Sequence, residues 1–574
     1  MLQRLHFRFQ NFGFALLIPI AVAILVRGIL LTRWCGDFNS DEAIVGLMAK
    51  HILEGHIPVF FYGQFYLGSL EAMIAAVIFW LFDDMNGLLL RLSPVTSYLA
   101  FVTVSFVWLD RWHNRSTAVW GSLFLALPPA MLTVHTYGAN GGNAEMLFLG
   151  TFLFLLVQRG FTSGWSYGRV FNVGLVAGLA LWTHPLSVFY LFTVLVVWGL
   201  GSPKWPEWRN YLGRLSLFIW LIIGLGIMAL ILIILFAFNL AIDVLYIQRL
   251  LIGAILITWI TWITLLRWRK QLSSNASSQD HPELYLFWLG LGGILGIAPM
   301  IYYFFNPGNS TGGVDNFNFI TWQRLPELWQ LHLFGIIPAL IGLRTHTDSA
   351  LWLMILSKIG LAAIFVAIFL HFGKHYRQAL LDLLLLRPIT PQPEHYLWLL
   401  GSLIIGFGFI NGNNYVIEHI RYFLPMLFVL SGVAGLALTY WQRSQPILVI
   451  LLTVFIWGYY GVINWQYYQS LPQVCSAQQV VDFLESEQIK GGQAYYQNAY
   501  KLTFLSREKL IIAPYRSRDR YESYTHYVAT LPRQTYILEA GSETEQFLSE
   551  VESPTAFTLK TIDNINIFTT VDTQ

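Results

Sequence analysis

The sequence predicts an α-helical, multi-pass membrane protein that ends in a small α/β domain. Three observations predict it. The chain is 56% hydrophobic and only 11% charged, against about 25% charged in a soluble domain. Its mean hydropathy is +0.55. Long apolar runs recur as far as residue 464, after which the composition turns polar. Residues 1–464 are therefore expected to form a membrane domain and 465–574 a soluble one. The net charge of +2 gives no reason to expect a nucleic-acid partner.

A spanning helix needs roughly 20 apolar residues. Thirteen runs qualify or nearly do: 13–32, 93–109, 116–134, 144–158, 170–183, 186–200, 216–240, 250–266, 284–304, 350–371, 396–410, 422–440 and 446–464. The first follows Arg4 and Arg8 without a small-residue cleavage site, which reads as an uncleaved anchor. With the N-terminus in the cytoplasm, Arg111, Arg115, Arg159, Arg169, Arg267, Arg269 and Lys270 fall in short inner loops, as the positive-inside rule requires. Counting 68–82 as a further span would reverse that asymmetry. The first outer loop, about 33–92, is thus long and carries two helices at the membrane surface. One is 41–54, with Ile44, Leu47, Met48 and Ile52 opposite Lys50 and Glu54; the other is 68–82.

The tail alternates helix-like 476–488 and 544–551 with strand-like "QAYYQ", "KLIIAP", "TYILEA" and "INIFTT". An odd number of spans places it outside. Cys35 and Cys475 fall on that same side, where a disulfide is permitted and two free thiols are equally compatible.

Several groups could carry chemistry. In "GDFNSDEA", Ser40 suits an N-cap, and Asp41 and Glu42 in the first turn complement the helix dipole, a reading that needs no function. At an outer membrane face, a carboxylate there can also take a proton from an acceptor hydroxyl. Asp37 is a further acid on the approach. Glu145, in "HTYGANGGNAEM", stands at the lip of a span, where an acid is expensive; Asn143 could cap the same helix. Asp41 and Glu145 together could hold a divalent cation such as Mg or Mn. Arg421, in "HIRYFLPML", suits a phosphate because its fork binds oxyanions at two points, or it snorkels beside Glu418. His184, in "WTHPLS", could hydrogen-bond a phosphate or be structural. The segment "FNPGNSTGGVDNFNF" reads as a lid or a plain surface loop.

These residues, in this order, resemble the GT-C superfamily of membrane glycosyltransferases, nearest the branch of protein O-mannosyltransferases and the lipid A aminoarabinose transferase. The resemblance rests on "SDEAIVGLMAKHILEGHIP", an acid in the second outer loop, "GLALWTHP" and "RYFLP". The tail phrases "AYKLTFL" and "IIAPYRSRDRY" look like a bacterial subgroup. The resemblance implies a sugar donor on a polyprenyl phosphate and a lipid, glycan or protein acceptor presenting a hydroxyl or amine. It makes Asp41 the general base in an inverting transfer, with Glu42 and Glu145 as the accompanying acids. Arg421 and His184 would hold the leaving phosphate. Asp37, Tyr62, Gln64, Tyr66, Glu71 and Tyr422 are further expected substrate contacts. The chain departs from relatives where "YLGSLEA" replaces a "KPP" lysine motif, where His184 replaces a lysine, and where Glu145 replaces an aspartate. An O-antigen-type polymerase or ligase, a multi-pass transporter and an inactive scaffold are the alternative readings.

Overall fold

The computed structural model describes residues 2–202, 282–305, 322–344, 352–410, 417–550 and 557–570. The expected spans 216–240 and 250–266, and nearly all of the 305–319 loop, lie outside these residues. Among the described residues five helices are long and apolar enough to cross a membrane, or six if one bent pair counts as a single span.

The chain opens with α1 (Leu2–Leu31), α2 (Ser40–Leu53), the short antiparallel strands β1 (Phe60–Phe61) and β2 (Gln64–Gly68), and α3 (Leu70–Phe82). Then follow α4 (Gly87–Trp112), α5 (Arg115–Ala126), α6 (Ala130–Tyr137), α7 (Asn143–Ser163), α8 (Tyr167–Thr183) and α9 (Ser187–Gly201). The cap of α2 is Asn39 rather than the expected Ser40: its side chain accepts the Glu42 N–H at 3.1 Å. Either residue can cap, and the register is one residue earlier than expected. The expected half-exposed α2 is instead buried nearly all round, because the tail covers its outer side.

One expectation in the membrane part is corrected. The run 116–134 is not one straight span: α5 and α6 meet at 81°. Pro128 and Pro129 stand at the break, where proline removes a helix N–H and clashes with the preceding turn. Arg27, a basic residue within α1, turns inward. It is fully buried, lies 3.6 Å above the Tyr98 ring, and donates to the Ala126 carbonyl and the Thr136 hydroxyl. The broken helix leaves carbonyls without partners, and Arg27 satisfies one of them.

Helix α8 packs against the helix Pro282–Gly296 backbone to backbone. A Cβ at Gly174 would sit 2.0 Å from the Leu289 carbonyl oxygen, and one at Gly178 would sit 2.4 Å from that of Gly293. Gly292 and Gly296 return the same close approach, the small-residue spacing that lets membrane helices touch. Gly174→Leu should force the pair apart and destabilise the fold by about 1–3 kcal/mol, read as a lower melting temperature in detergent.

The tail begins after the long helix Pro446–Ser470. Its sheet has the order β4-β3-β5-β7-β6, with β3 (Gly491–Ala494), β4 (Ile511–Pro514), β5 (Thr535–Glu539), β6 (Phe557–Ile562) and β7 (Ile565–Thr570). Strand β3 pairs in parallel with β4 and β5, while β7 runs antiparallel to β5 and β6. "QAYYQ", read as a strand, is the end of β3 and the start of the helix Tyr496–Leu505. That helix lies on α2. Gly46 makes the approach possible, since a Cβ there would be 2.2 Å from the Phe504 ring. Cys35 and Cys475 form a disulfide across 440 residues of sequence, tying the start of the first loop to the start of the tail. Beside it, Arg33 donates to the carbonyls of Tyr468 and Leu471 at the end of the last long helix.

Candidate active site

The three acids of "GDFNSDEA" have different surroundings. Arg91 of α4 is fully buried. It grips Glu42 in a two-point fork, Nε to Oε2 at 2.7 Å and one terminal nitrogen to Oε1 at 2.6 Å. Its other terminal nitrogen donates to Asp37 Oδ1 at 2.8 Å. Asp37 Oδ2 takes the hydroxyls of Tyr137 and Tyr467, and the Ala139 N–H completes Glu42. Both acids are thus tied into the junction between the first loop, α4 and α6. Glu42, expected among the catalytic acids, and Asp37, expected to touch substrate, both direct their described hydrogen bonds into this junction.

Asp41 differs. It is half-buried, and its Oδ1 accepts from the Tyr496 hydroxyl of the tail. No described residue donates to Oδ2. Arg421 is exposed. Its charge acts on Asp41, Tyr66, Tyr422 and His184, and it lies 5.4 Å over the Tyr422 ring. The structure therefore gathers the expected base, the expected phosphate ligands and two of the expected substrate contacts. At His184, the Leu186 N–H donates to Nδ1 at 3.2 Å. In the neutral ring the proton is then on Nε2, which is left as a donor.

Glu71 and Glu145 form a second, buried station. Both glycines of "NGG" have positive φ, +84° at Gly141 and +89° at Gly142, which only glycine adopts without strain. That conformation turns two successive N–H groups onto Glu71 Oε2, at 2.7 and 2.8 Å. The cap of α7 is thus Gly142, and Asn143 makes no side-chain cap. Glu145 Oε1 accepts from Ser97 at 2.7 Å. Glu71 and Glu145 are 2% and 1% exposed, so both are interior groups. A cation shared by Asp41 and Glu145 was one reading of the two acids; Glu145 accepts from Ser97 and lies near Glu71. Among the described residues the one gathered set of potential metal ligands is His51, Glu54 and Glu508. There Lys50 already bridges both carboxylates.

That set is a docking contact for the tail. Glu508 binds His51 Nε2 at 2.9 Å, together with Lys50 and the Tyr524 hydroxyl. Tyr62, expected at the substrate, instead bonds His51 Nδ1 at 2.7 Å and stacks on Tyr521 at 4.7 Å. Burial alone would raise the Glu508 carboxyl, but the hydrogen bonds from His51, Lys50 and Tyr524 prevail and hold it down to about 2. A carboxylate depressed in the folded state contributes stability above its unfolded value of about 4.5, and that contribution fades as pH falls toward 2. Tail docking should therefore weaken by about 1–2 kcal/mol across that window, after allowance for solvent screening. In Glu508→Gln the acid-induced increase in proteolysis of the tail should largely disappear.

Sequence reasoning missed three residues here. Arg91 carries no local motif that marks it. Tyr496 and Arg520 lie in quoted tail phrases without any local sign that they reach the first loop. The Gln64 amide oxygen, in the orientation its neighbours require, accepts from Arg520 at 3.0 and 2.9 Å and from the Tyr66 hydroxyl at 3.2 Å.

Fold and site together define a helical protein with apolar helices of membrane-spanning length, whose tail is bonded to the first loop beside Asp41. The chain is similar in structure to ArnT from Cupriavidus metallidurans bound to undecaprenyl phosphate. The TM-score is 0.40 at 13% identity, over 97% of this chain and 98% of that one. It is also similar to the oligosaccharyltransferase AglB from Archaeoglobus fulgidus, in complex with an inhibitory peptide and a dolichol-phosphate. There the TM-score is 0.48 at 12% identity, over 92% of this chain and 70% of that one. No family model and no curated protein matches the sequence.

Proposed function

We propose that the protein is a membrane glycosyltransferase that moves a sugar from a polyprenyl-phosphate donor to an acceptor hydroxyl or amine, with inversion. The observation that carries this reading is Asp41: of the three acids of "GDFNSDEA", it alone keeps an open carboxylate oxygen among the described residues, and Arg421 and His184 are read as lining one crevice with it. Asp41 Oδ2 takes the acceptor proton while the acceptor atom attacks the anomeric carbon from the face opposite the phosphate. The bond from that carbon to the phosphate oxygen breaks, and polyprenyl phosphate leaves with the bonding electrons. Its negative charge is met by the Arg421 guanidinium and the His184 Nε2–H, a form of stabilisation suited to charge that develops in the transition state.

The reading places the crevice and the tail on the outer face of the cell membrane. The Cys35–Cys475 disulfide supports that side, since disulfides persist in oxidising compartments. The test is transfer from a panel of short-chain polyprenyl-phosphate hexoses and pentoses in membranes carrying wild type or Asp41→Asn. Unchanged transfer in the variant would sink the assignment of the base.

A further inference from the structure

The tail does more than cap the crevice. A chain of hydrogen bonds runs from its loop at Arg520 to Asp41. Arg520 Nε donates to the Tyr496 hydroxyl at 3.2 Å, and that hydroxyl donates to Asp41 Oδ1. The guanidinium is itself immobilised. It donates to the Gly63 carbonyl at 3.0 Å and to Gln64, and it is 7% exposed. Gly63 has φ +67°, and a Cβ there would lie 2.7 Å from Arg520 Cδ, so the β1–β2 turn is shaped to admit this side chain. On the tail side, the Arg520 N–H donates to the Tyr500 hydroxyl, which in turn donates to Asp519.

The direction of the chain follows from chemistry. A guanidinium can only donate. With Arg520 occupying a lone pair of the Tyr496 oxygen, the single hydroxyl proton is left for Asp41. A carboxylate on a short side chain turns about its Cβ–Cγ bond, and fixing Oδ1 fixes the direction of Oδ2. Docking does not require this chain, because the disulfide, the Glu508 cluster and the Tyr62–Tyr521 stack already hold the tail.

We infer that Tyr496 and Arg520 are positioning residues of the active site: the tail orients the Asp41 carboxylate, so that the membrane domain alone is an incomplete catalyst. The inference rests on the reading of Asp41 as the base, and its test separates the two.

The full-length protein in membranes is assayed with the short-chain polyprenyl-phosphate sugar panel, measuring kcat and the donor KM. Tyr496→Phe is expected to lower kcat about 10–100-fold with the donor KM within about twofold. Arg520→Gln should fall similarly, and Arg520→Lys, which keeps a donor, should recover part of the loss. The double variant Tyr496→Phe/Arg520→Gln should be no slower than Tyr496→Phe alone, because the two act as one unit. Tyr524→Phe removes a docking bond only and should leave kcat unchanged. Wild-type kcat in Tyr496→Phe, beside an inactive Asp41→Asn, overturns the inference and leaves the base assignment standing. Losses in Tyr496→Phe matched by Tyr524→Phe also overturn it, since they would report docking. Full transfer by Asp41→Asn, or a wild type inert toward the whole panel, overturns both.

Discussion

Arg91→Met should destabilise the fold by about 3–5 kcal/mol, the cost of removing one partner from a buried ion pair. The arginine is fully buried and makes three charge-assisted bonds, two to Glu42 and one to Asp37. Methionine fills similar volume, so the loss comes from stranding the Glu42 carboxylate, 1% exposed, with the Ala139 N–H as its remaining described partner. The double variant Arg91→Met/Glu42→Leu should recover most of the stability, because replacing both members of such a pair by apolar groups is often neutral. Asp37 retains the Tyr137 and Tyr467 hydroxyls in either case. Thermal unfolding in detergent reads both variants. Equal melting temperatures for wild type and Arg91→Met would refute the view that this knot holds the first loop.

The second large effect is on rate. Asp41→Asn should lower sugar transfer by about 10²–10⁴-fold, the usual contribution of a general base, with little change in melting temperature. The Tyr496 hydroxyl can still donate to an amide oxygen, so the side chain stays in place while its capacity to accept a proton is lost. The informative comparison is Glu42→Gln. Arg91 grips both Glu42 oxygens, so this neighbour should lower stability first and activity only in proportion to folded protein. A purified Glu42→Gln protein as inactive as Asp41→Asn would show that the acids had been ranked wrongly.

Much of this site can be read from the chain itself, and the reason is local. Asp37, Asp41 and Glu42 stand out because they follow an apolar run within a few residues, and Arg421 because it enters another. The resemblance ranked Asp41 first among the acids; what holds the other two in place was not readable. It depends on Arg91, whose position near the head of α4 looks like an ordinary topological charge until the fold swings it onto Glu42, 49 residues away. Tyr496 meets Asp41 across 455 residues, a contact that no local pattern encodes. The Pro128–Pro129 break was visible as a dipeptide, but its consequence was not: Arg27 becomes an interior ligand of the broken helix and not a surface anchor. In the tail, helix and strand phrases were legible where hydrophobic residues alternate or recur. They blurred at "QAYYQ", where a strand hands over to a helix within two residues.

The covalent link between Cys35 and Cys475 also constrains what lies between them. Two sulfur atoms that bond must stand in one aqueous compartment. A chain that leaves a compartment and returns to it crosses the bilayer an even number of times, whatever path it takes. Everything from the end of α1 to the start of the tail is thus a closed loop with even parity. An insertion or deletion of one crossing within it would strand the tail on the far side from Asp41, and would separate Asp41 from Tyr496 without touching either residue.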